Sequence, residues 1–269
     1  MAGVLPRVSI VTVTLNGREH IEGAIRSVLS QDYPSVEHLI VDGGSTDGTL
    51  EVLRAYEDRL ASWTTGPDGG IADAFNKGLA AATGDYVLFL NSDDWLADPE
   101  ALSRAMRVAT GTPPPDIIFG DCDIVDRDTG RLLRRLDHGW SPTAFRFGRM
   151  INHPALFAHR SYFRKYGAFD VSFRIAMDFE FLLRGALQST VVHVPSVITN
   201  MRSGGLSMRN REGAVAEIIR ALKKNRVIAH PWQEWFLRVY FGARGALRPL
   251  RQAAEELGRR LRAPAGRDV

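Results

Sequence analysis

Cysteine is almost absent from this sequence, since Cys122 is the single cysteine among 269 residues. One thiol excludes both an intrachain disulfide and a metal site built from cysteines. This scarcity is typical of a reducing compartment, so we expect a cytoplasmic protein. Cys122 itself is expected to act as a small apolar residue.

Long apolar runs are also missing. No stretch of about 18 consecutive apolar residues occurs, so we expect no membrane-spanning helix. The run VSIVTVTL at 8–15 is interrupted by Ser9, Thr12 and Thr14, and no small-residue cleavage site follows it. We interpret this run as a first strand and not as a signal peptide.

Two common phosphate-binding motifs are absent. No GxGxxG follows the first apolar run and no GxxxxGK[ST] occurs anywhere. The dinucleotide fingerprint and the P-loop are therefore both excluded. A site for a phosphorylated ligand must use other groups.

Acidic residues are scarce in the last part of the chain. Residues 201–269 contain 15 Lys and Arg against 6 Asp and Glu, whereas residues 1–200 contain 19 against 25. The net charge of +3 is therefore unevenly distributed: the tail is basic and the main part of the chain is mildly acidic.

Strand and helix patterns alternate through the first half of the chain. This rhythm predicts parallel strands joined by right-handed crossovers, with helices on both faces of the sheet. After the GTPPP break at 111–115, two apolar segments flank Thr129 and Gly130 like a hairpin, so a mixed second half is expected. The four predicted strands lie at 7–13, 37–41, 60–65 and 86–90.

Polar residues follow three of these strands: TLN at 14–16, DGGS at 42–45 and NSDD at 91–94. Ligands of open parallel sheets bind outside the carboxyl ends of the strands, so the three loops are expected to form one crevice. The adjacent acids Asp93 and Asp94 are hard oxygen ligands of the kind that Mg²⁺ or Mn²⁺ uses together with substrate phosphates. The alternative is that one of them caps the next helix or ends the strand in water.

The order of these features resembles the family 2 glycosyltransferases, which are inverting enzymes of the GT-A fold. The resemblance runs from Pro6 to about Gln188 and includes SGGLS at 203–207. Each piece is weak alone, but the order and spacing are specific. The matching segments are VSIVTVTLN at 8–16, LIVDGGSTDGT at 39–49, DGGIADAFNKGLAAATGDYVLFLNSDDWL at 68–96, HPALF at 153–157 and GAFDVSFRIAMDFEFLLR at 167–184.

The resemblance implies an α/β, GT-A-like fold with a mostly parallel nucleotide-binding sheet flanked by helices. A glycosyltransferase domain would cover 1–200, with a nucleotide-sugar half at 1–110 and a mixed acceptor half at 111–200. A Gly-containing loop and a basic amphipathic helical tail would follow at 201–269.

The implied activity is metal-dependent transfer of a sugar, with inversion, from a nucleotide diphosphate to a hydroxyl of a glycan or lipid-linked acceptor. Biosynthesis of a bacterial cell-surface polysaccharide would be the setting, with no nucleic-acid partner. A sugar nucleotidyltransferase and a non-catalytic nucleotide-sugar-binding module are the alternatives.

Carried onto this sequence, the resemblance implies that Thr14, Leu15 and Asn16 line the base pocket and that Asp42 lies beside it. Asp93 would contact the donor. Asp93 and Asp94 would hold Mn²⁺ or Mg²⁺, with Asp94 preferred because it precedes Pro99 by five residues.

Two departures from the family pattern concern these positions. Gly43 stands where many members have a second acid at the uracil edge, which leaves the base open. Asn91 or Ser92 replaces the usual first acid of the metal motif, so we expect a site with fewer charges.

The third predicted helix carries Asp73, Asn76 and Lys77. Lys77 is a candidate phosphate neighbour, and Asp73 a candidate ligand for sugar hydroxyls. The alternative is that Asp73 and Lys77 form an ordinary i,i+4 pair on a solvated helix face.

Inverting transfer needs a base that takes the proton of the acceptor hydroxyl. In the family this base is an acid after the FD element, and the segment MDFEF at 177–181 offers Asp178 and Glu180. We favour Asp178, which falls in the first helical turn, with an N-cap as the alternative. Glu180 precedes Arg184 by four residues and is interpreted as half of a surface ion pair.

Two further residues, His153 and Arg202, are candidates for contact with the acceptor or the diphosphate. His153 precedes a proline and is as typical of a structural turn. Arg202 and Arg209 flank SGGLS, a segment that either folds over the diphosphate or serves as a linker with solvated arginines.

The basic tail contains an aromatic stripe at helical spacing. Such a helix lies either on an anionic membrane surface or against the catalytic domain or a second subunit. Peripheral contact at the inner face of the membrane is therefore an alternative to a purely cytoplasmic location. The stripe consists of Trp232, Trp235, Phe236, Val239 and Tyr240, and the nearby arginines are Arg238, Arg244, Arg248 and Arg251.

Overall fold

The computed structural model describes residues 5–246, and the side chains of residues 5–243. Nine strands in this range form one sheet. The strands are β1 (Val8–Thr14), β2 (Val36–Asp42), β3 (Ser62–Thr65), β4 (Tyr86–Asn91), β5 (Trp95–Leu96), β6 (Ile117–Val125), β7 (Leu132–Leu136), β8 (Leu156–His159) and β9 (Val191–Arg202). The helices are α1 (Ile21–Leu29), α2 (Thr49–Ala55), α3 (Ile71–Ala81), α4 (Ala101–Met106), α5 (Pro142–Arg146), α6 (Arg160–Tyr166), α7 (Met177–Leu183), α8 (Leu206–Arg209), α9 (Arg211–Lys224) and α10 (Pro231–Ala246).

The first half of the sheet is parallel, as the strand and helix rhythm predicts. β1 lies between β2 and β4, and β3 pairs with the outer edge of β2. All seven residues of β1 are buried, because helices cover both faces of this half. Thr12 hydrogen bonds through Oγ1 to Nε2 of His38 at 2.9 Å, and burial lowers the pKa of His38 to about 3, so that its ring is neutral.

The second half of the sheet is mixed. β8 joins β4 and β6 by antiparallel pairing, and β6 and β7 form the predicted hairpin across Thr129 and Gly130. The long strand β9 runs parallel to β6, and its far end pairs with β5, directly after the acidic segment. The predicted parallel first half and mixed second half are therefore confirmed.

The C-terminal helices share the core of the second half. Ile219 and Leu222 of α9 belong to the same buried cluster as Phe179 and Phe181 of α7. The position proposed for the end of the main domain, residue 200, lies inside β9. The predicted C-terminal helical extension is thus present, and its helix α9 packs against α7 in the core.

The aromatic stripe of α10 does not lie against this core. Leu237 is 2% exposed, whereas Trp232 and Trp235 are 65% and 67% exposed. Arg248 and Arg251 lie outside the described residues, as does the side chain of Arg244. In the range 5–246, no helix combines the length and the apolar character that a membrane crossing requires.

Candidate functional site

A cleft of about 590 Å³ opens at the carboxyl ends of β1 and β4. Its walls come from both halves of the chain, in agreement with the rule for ligand sites in parallel sheets. Of the candidates named from sequence, it brings together Thr14, Leu15, Asp93, His153 and Asp178. Its other lining residues include Asp68, Asn91, Ser92, Arg127, Arg174, Ile175, Met177, Gly204, Gly205, Leu206 and Arg209.

Thr14, the last residue of β1, lines this cleft. Oγ1 of Thr14 is buried and hydrogen bonds to no group in residues 5–243. A side chain at Gly17 would place its Cβ 2.2 Å from that oxygen, so glycine is needed where the loop passes over the Thr14 hydroxyl. A buried hydroxyl without a partner is costly and is satisfied when a ligand supplies one.

Asp42 and Asn16 support the cleft from behind and do not line it. The buried carboxylate of Asp42 accepts hydrogen bonds from the backbone N–H groups of Gly44 and Ser45, at 3.0 and 2.9 Å. Oγ of Ser45 in turn accepts the N–H of Asn16 at 2.7 Å, while Oδ1 of Asn16 accepts the N–H of Thr46 at 2.9 Å. The DGGS loop therefore fixes the loop after β1.

Asp68 fills the space next to Gly43, where the family pattern has a second acid. A Cβ added at Gly43 would lie 2.7 Å from Oδ2 of Asp68. Oδ1 of Asp68 accepts the N–H of Gly70 at 2.7 Å. An acidic oxygen is thus present beside Leu15, although position 43 itself is a glycine. From the sequence, the segment DGG at 68–70 had indicated only a turn.

The two acids after β4 lie in different environments. Asp93 faces the cleft, and its Oδ2 accepts a charged hydrogen bond from Nη2 of Arg127 at 2.8 Å. Asp94 is 2% exposed and accepts hydrogen bonds from Nδ2 of Asn91 at 3.0 Å and from the N–H of Arg202 at 3.3 Å. Desolvation and the neighbouring charge of Asp93 raise the pKa of Asp94 to about 8.

The oxygen donors at this point fit a divalent ion that is shared with a phosphorylated ligand. Mg²⁺ is commonly held by one or two carboxylates, with substrate phosphates and water completing its shell. The cleft offers the carboxylate of Asp93 with Asn91 and Ser92 beside it. Within residues 5–243 there is no group of three or more His, Cys, Asp or Glu residues that could hold an ion unaided. An ion bound by protein alone therefore does not fit.

Asp178 reaches the cleft from the first turn of α7. The helix has Ala176 as its N-cap, so Asp178 is not the capping residue. Burial raises the pKa of Asp178, and this effect is opposed by His153 on the same wall of the cleft. The ring of His153 stacks on Phe89 with centroids 6.1 Å apart, and burial lowers its pKa. A carboxyl group with a raised pKa is suited to accepting a proton.

Glu180 differs from the sequence-based interpretation. Its predicted pair with Arg184 exists, with Nη2 and Oε2 3.1 Å apart, but the Glu180 side chain is fully buried. Lys224 of α9 adds a second cation at 2.8 Å from Oε1. The expectation of a surface ion pair was wrong because α9 covers this face of α7.

Glu217 of α9 fixes the beginning of α7. Its carboxylate accepts the backbone N–H groups of Arg174, Ile175 and Ala176 at 2.9, 2.8 and 2.8 Å. Such amides have no partner within the helix they precede, and a carboxylate there also complements the helix dipole. Glu217 thereby fixes the position of the first turn of α7, which carries Asp178.

Substitution of Glu217 by Ala is expected to lower the free energy of unfolding by about 2 kcal/mol, because three backbone amides lose their acceptor. Urea denaturation measures this change. Glu212→Ala, which removes an exposed glutamate from the same helix, is the matched control and is expected to cost less than about 1 kcal/mol. Equal losses in the two variants would contradict the role assigned to Glu217.

The candidates on α3 lie outside the cleft lining. Asn76 donates to the carbonyl oxygen of Phe169 and accepts its N–H, both at 2.9 Å. Lys77 donates to the carbonyl oxygen of Pro67 at 3.0 Å and pairs with Asp73 at 3.1 Å. Asp73 also accepts the N–H of Gly69 at 2.9 Å. The three side chains hold the loops at 67–70 and 169 in place.

Arg202 is also turned away from the cleft. Its guanidinium lies 4.8 Å from the ring centre of Trp95 and donates to the carbonyl oxygen of Arg127 at 3.4 Å. Arg209, at the other end of the SGGLS segment, does line the cleft and has no carboxylate partner in the described part of the chain. The segment thus brings its second arginine to the site.

Arg127 and Arg174 were missed by sequence reasoning. Arg127 follows β6, and Arg174 donates to the carbonyl oxygen of Gly69 across the cleft. With Arg209 they give the cleft three guanidinium groups, a composition that suits a diphosphate. No local motif marks them, because each comes from a separate loop.

Comparison with known proteins agrees with this geometry. The family model described as Glycosyl transferase family 2 matches residues 9–176. An uncharacterized glycosyltransferase of Mycobacterium tuberculosis is 33% identical over 212 residues, which cover 78% of this chain and 80% of the relative. A PGL/p-HBAD biosynthesis glycosyltransferase of Mycobacterium bovis is 31% identical over 213 residues, covering 75% and 79%.

Solved structures show the same fold. S. aureus TarS 1–349, crystallised with UDP-GlcNAc, has a TM-score of 0.67 at 18% identity, and the match covers 82% of this chain and 66% of the TarS 1–349 chain. The mannosyltransferase PcManGT from Pyrobaculum calidifontis, with GDP-Man and Mn²⁺, has a TM-score of 0.60 at 21% identity and covers 96% and 81%. The predicted GT-A-like fold is thereby confirmed. The family match spans more than half of the chain, and on this evidence the protein is a glycosyltransferase that belongs to family 2.

Proposed function

We propose that this enzyme transfers a sugar, with inversion, from a nucleoside diphosphate donor to a hydroxyl of a glycan or lipid-linked acceptor. The observation that carries the proposal is the presence in one cleft of Asp178, a carboxyl group of raised pKa, and of Asp93 with Arg127. The first suits deprotonation of an acceptor, and the second suits a diphosphate.

The relatives support the donor class and the setting. TarS was solved with UDP-GlcNAc and PcManGT with GDP-Man, so both neighbours hold a nucleoside diphosphate sugar. One relative is named for PGL/p-HBAD biosynthesis, and a shorter match, 44% identical over 97 residues, is named for teichuronic acid biosynthesis. We infer that the product is a cell-surface glycan or glycolipid.

Each side chain of the cleft then has a chemical task. Asp178 takes the proton of the acceptor hydroxyl as that oxygen attacks the anomeric carbon. The guanidinium groups of Arg127 and Arg209 balance the charge of the departing diphosphate. Thr14, Leu15 and Asp68 line the part of the cleft in which we infer that the nucleoside binds.

A divalent cofactor fits this scheme, as the Mn²⁺ in PcManGT suggests. Asp93, with Asn91 and Ser92 beside it, would hold the ion against the diphosphate, where it supplies Lewis-acid stabilisation. We prefer Asp93 to Asp94, the reverse of the sequence-based ranking, since both oxygens of Asp94 are already hydrogen bonded within the protein.

Incubation with UDP-sugars and GDP-sugars, Mn²⁺ and an acceptor tests the proposal. Release of the free nucleoside diphosphate that depends on the acceptor is the expected result. Consumption of pyrophosphate would instead identify a sugar nucleotidyltransferase, although the loop TLNGREH has Gly17 alone where such enzymes need a glycine-rich segment. Tight donor binding without turnover would identify a non-catalytic binding module.

The acidic limb of the pH profile is expected to report Asp178. A general base acts only when deprotonated, so kcat/KM falls about tenfold per pH unit below its pKa. Burial raises this pKa above the ordinary carboxyl value of 3.8, so activity is lost at a higher pH than for an exposed aspartate. Initial rates between pH 4 and 8 measure this acidic fall in kcat/KM. If the residual activity of Asp178→Asn does not show the fall, the titrating group is Asp178.

A further inference from the structure

Helix α10 is apolar on two opposite sides. Leu237 is buried, and Phe241 packs against the core cluster. On the outer side, the i, i+3, i+4, i+7 spacing aligns four apolar residues along the helix. A surface helix of a globular protein ordinarily has polar residues there. The four residues are Trp232, Trp235, Phe236 and Val239, which are 65%, 67%, 45% and 50% exposed.

The exposed surface continues onto α5. Phe147, just after that helix, is 45% exposed, and its ring centre lies 6.4 Å from that of Phe236. We call Phe147 together with the four α10 residues the aromatic patch. Contiguous apolar surface of this kind marks an interaction site.

Cationic side chains flank the aromatic patch. A cavity of about 520 Å³ between α9 and α10 is lined by four cations and one acid. The acid, Glu234, is shared by Lys223 and Arg238, each at 2.9 Å, while Lys224 is paired with Asp170 and Glu180 and Arg220 lies 4.0 Å from Glu217. Residues 211–246 nevertheless contain seven Lys and Arg against three Asp and Glu, an excess of positive charge that Asp170 and Glu180 offset only in part. The four cations are Arg220, Lys223, Lys224 and Arg238.

We propose that the aromatic patch docks on the surface of a bilayer that contains anionic lipids. Tryptophan rings are favoured at the headgroup level, and adjacent Lys and Arg residues add electrostatic attraction to anionic headgroups. The docking goes beyond the proposed transfer reaction and does not depend on it.

Charge favours the bilayer over the two other occupants of this face. A second copy of the chain would bring the same positive flank against itself. Residues 247–269 of the same chain contain six arginines against three acids, so this segment is also positively charged. Opposite charge is what a bilayer with anionic lipids provides.

Cosedimentation of the full-length protein with vesicles tests the proposal. The protein is expected to bind phosphatidylcholine vesicles that contain phosphatidylglycerol, to bind pure phosphatidylcholine about tenfold more weakly, and to dissociate at high salt. The double variant Trp232→Ser, Trp235→Ser is expected to bind the mixed vesicles about tenfold or more weakly. Leu5→Ser, which removes another exposed apolar side chain, is the control and should bind as the parent does.

Three kinds of result would overturn the proposal. The first is failure of the parent protein to bind mixed vesicles at low salt, or unchanged binding of the double variant. The second is a dimer in solution that the double variant converts to a monomer, which would assign the aromatic patch to a second copy. The third is shielding from acrylamide, in a monomer without vesicles, of the fluorescence of Trp232 and Trp235, measured as the difference between the parent and the double variant; this would mean that residues 247–269 cover the patch. Thermal melting of the double variant verifies that it is folded, and none of these measurements requires transferase activity.

Discussion

Replacement of Asp178 by Asn is expected to lower kcat by about 10²- to 10⁴-fold while the Kd of the nucleotide sugar stays within about twofold. The amide keeps the size of the side chain but cannot take a proton from the acceptor hydroxyl. Release of nucleoside diphosphate in the presence of acceptor measures kcat, and calorimetry measures donor binding. Loss confined to kcat is the signature of a group that acts only in the reaction.

The free energy of unfolding of Asp178→Asn provides a second, independent measurement. Burial raises the pKa of Asp178, which means that the folded protein disfavours the charged form. Asp178→Asn should therefore be at least as stable as the parent at neutral pH, so a loss of activity cannot be ascribed to unfolding. Asp58→Asn, at an exposed position away from the cleft, is the charge control and should retain full activity. Full activity of Asp178→Asn would exclude Asp178 as the base.

Replacement of Asp93 by Asn is expected to lower kcat/KM by about 10²-fold, which corresponds to about 3 kcal/mol of transition-state stabilisation. The neutral amide is a poor ligand for a divalent ion, and it also leaves Arg127 without its partner. In the parent enzyme, Mn²⁺ should tighten the binding of the nucleoside diphosphate. In Asp93→Asn, binding with and without Mn²⁺ should be equal.

The variant Asp94→Asn discriminates between the two neighbouring acids. The Asp94 side chain is hydrogen bonded to Asn91 and to the backbone of Arg202 and does not line the cleft. The effect of Mn²⁺ on nucleotide binding should therefore persist in Asp94→Asn. The opposite pattern, with the Mn²⁺ effect lost in Asp94→Asn and kept in Asp93→Asn, would return the metal ligand to the position that the sequence favoured.

The sequence predicts the first half of the sheet because its signals are local. The strand run at 86–90 is apolar throughout, the run at 7–13 is rich in β-branched residues, and the observed strands are Val8–Thr14 and Tyr86–Asn91. The carboxyl-end rule then places Thr14 and Asp93 in the cleft without knowledge of the rest of the chain. The hairpin after Val125 is equally local, since a Gly130 turn defines it.

The remaining side chains depend on tertiary contacts. Arg127 and Arg174 reach the cleft from loops far apart in sequence, and Glu180 is buried by a helix that begins at Arg211. Asp93 and Asp94 are adjacent, yet a turn closed by the bond from the N–H of Asp94 to the carbonyl oxygen of Asn91, at 3.1 Å, directs them to different surroundings. No pattern in the sequence specifies which of the two faces the cleft.

The contacts of α9 with α7 set a limit on recombining this enzyme with its relatives. Glu217 and Lys224 both attach to the segment that carries Asp178, although they follow β9 in sequence. A chimaera spliced at the end of β9 would therefore combine Asp178 and its helix α7 from one parent with the α9 that supports them from another. Exchange of acceptor preference by domain grafting should place the crossover after Lys224, so that both partners of the segment are inherited together.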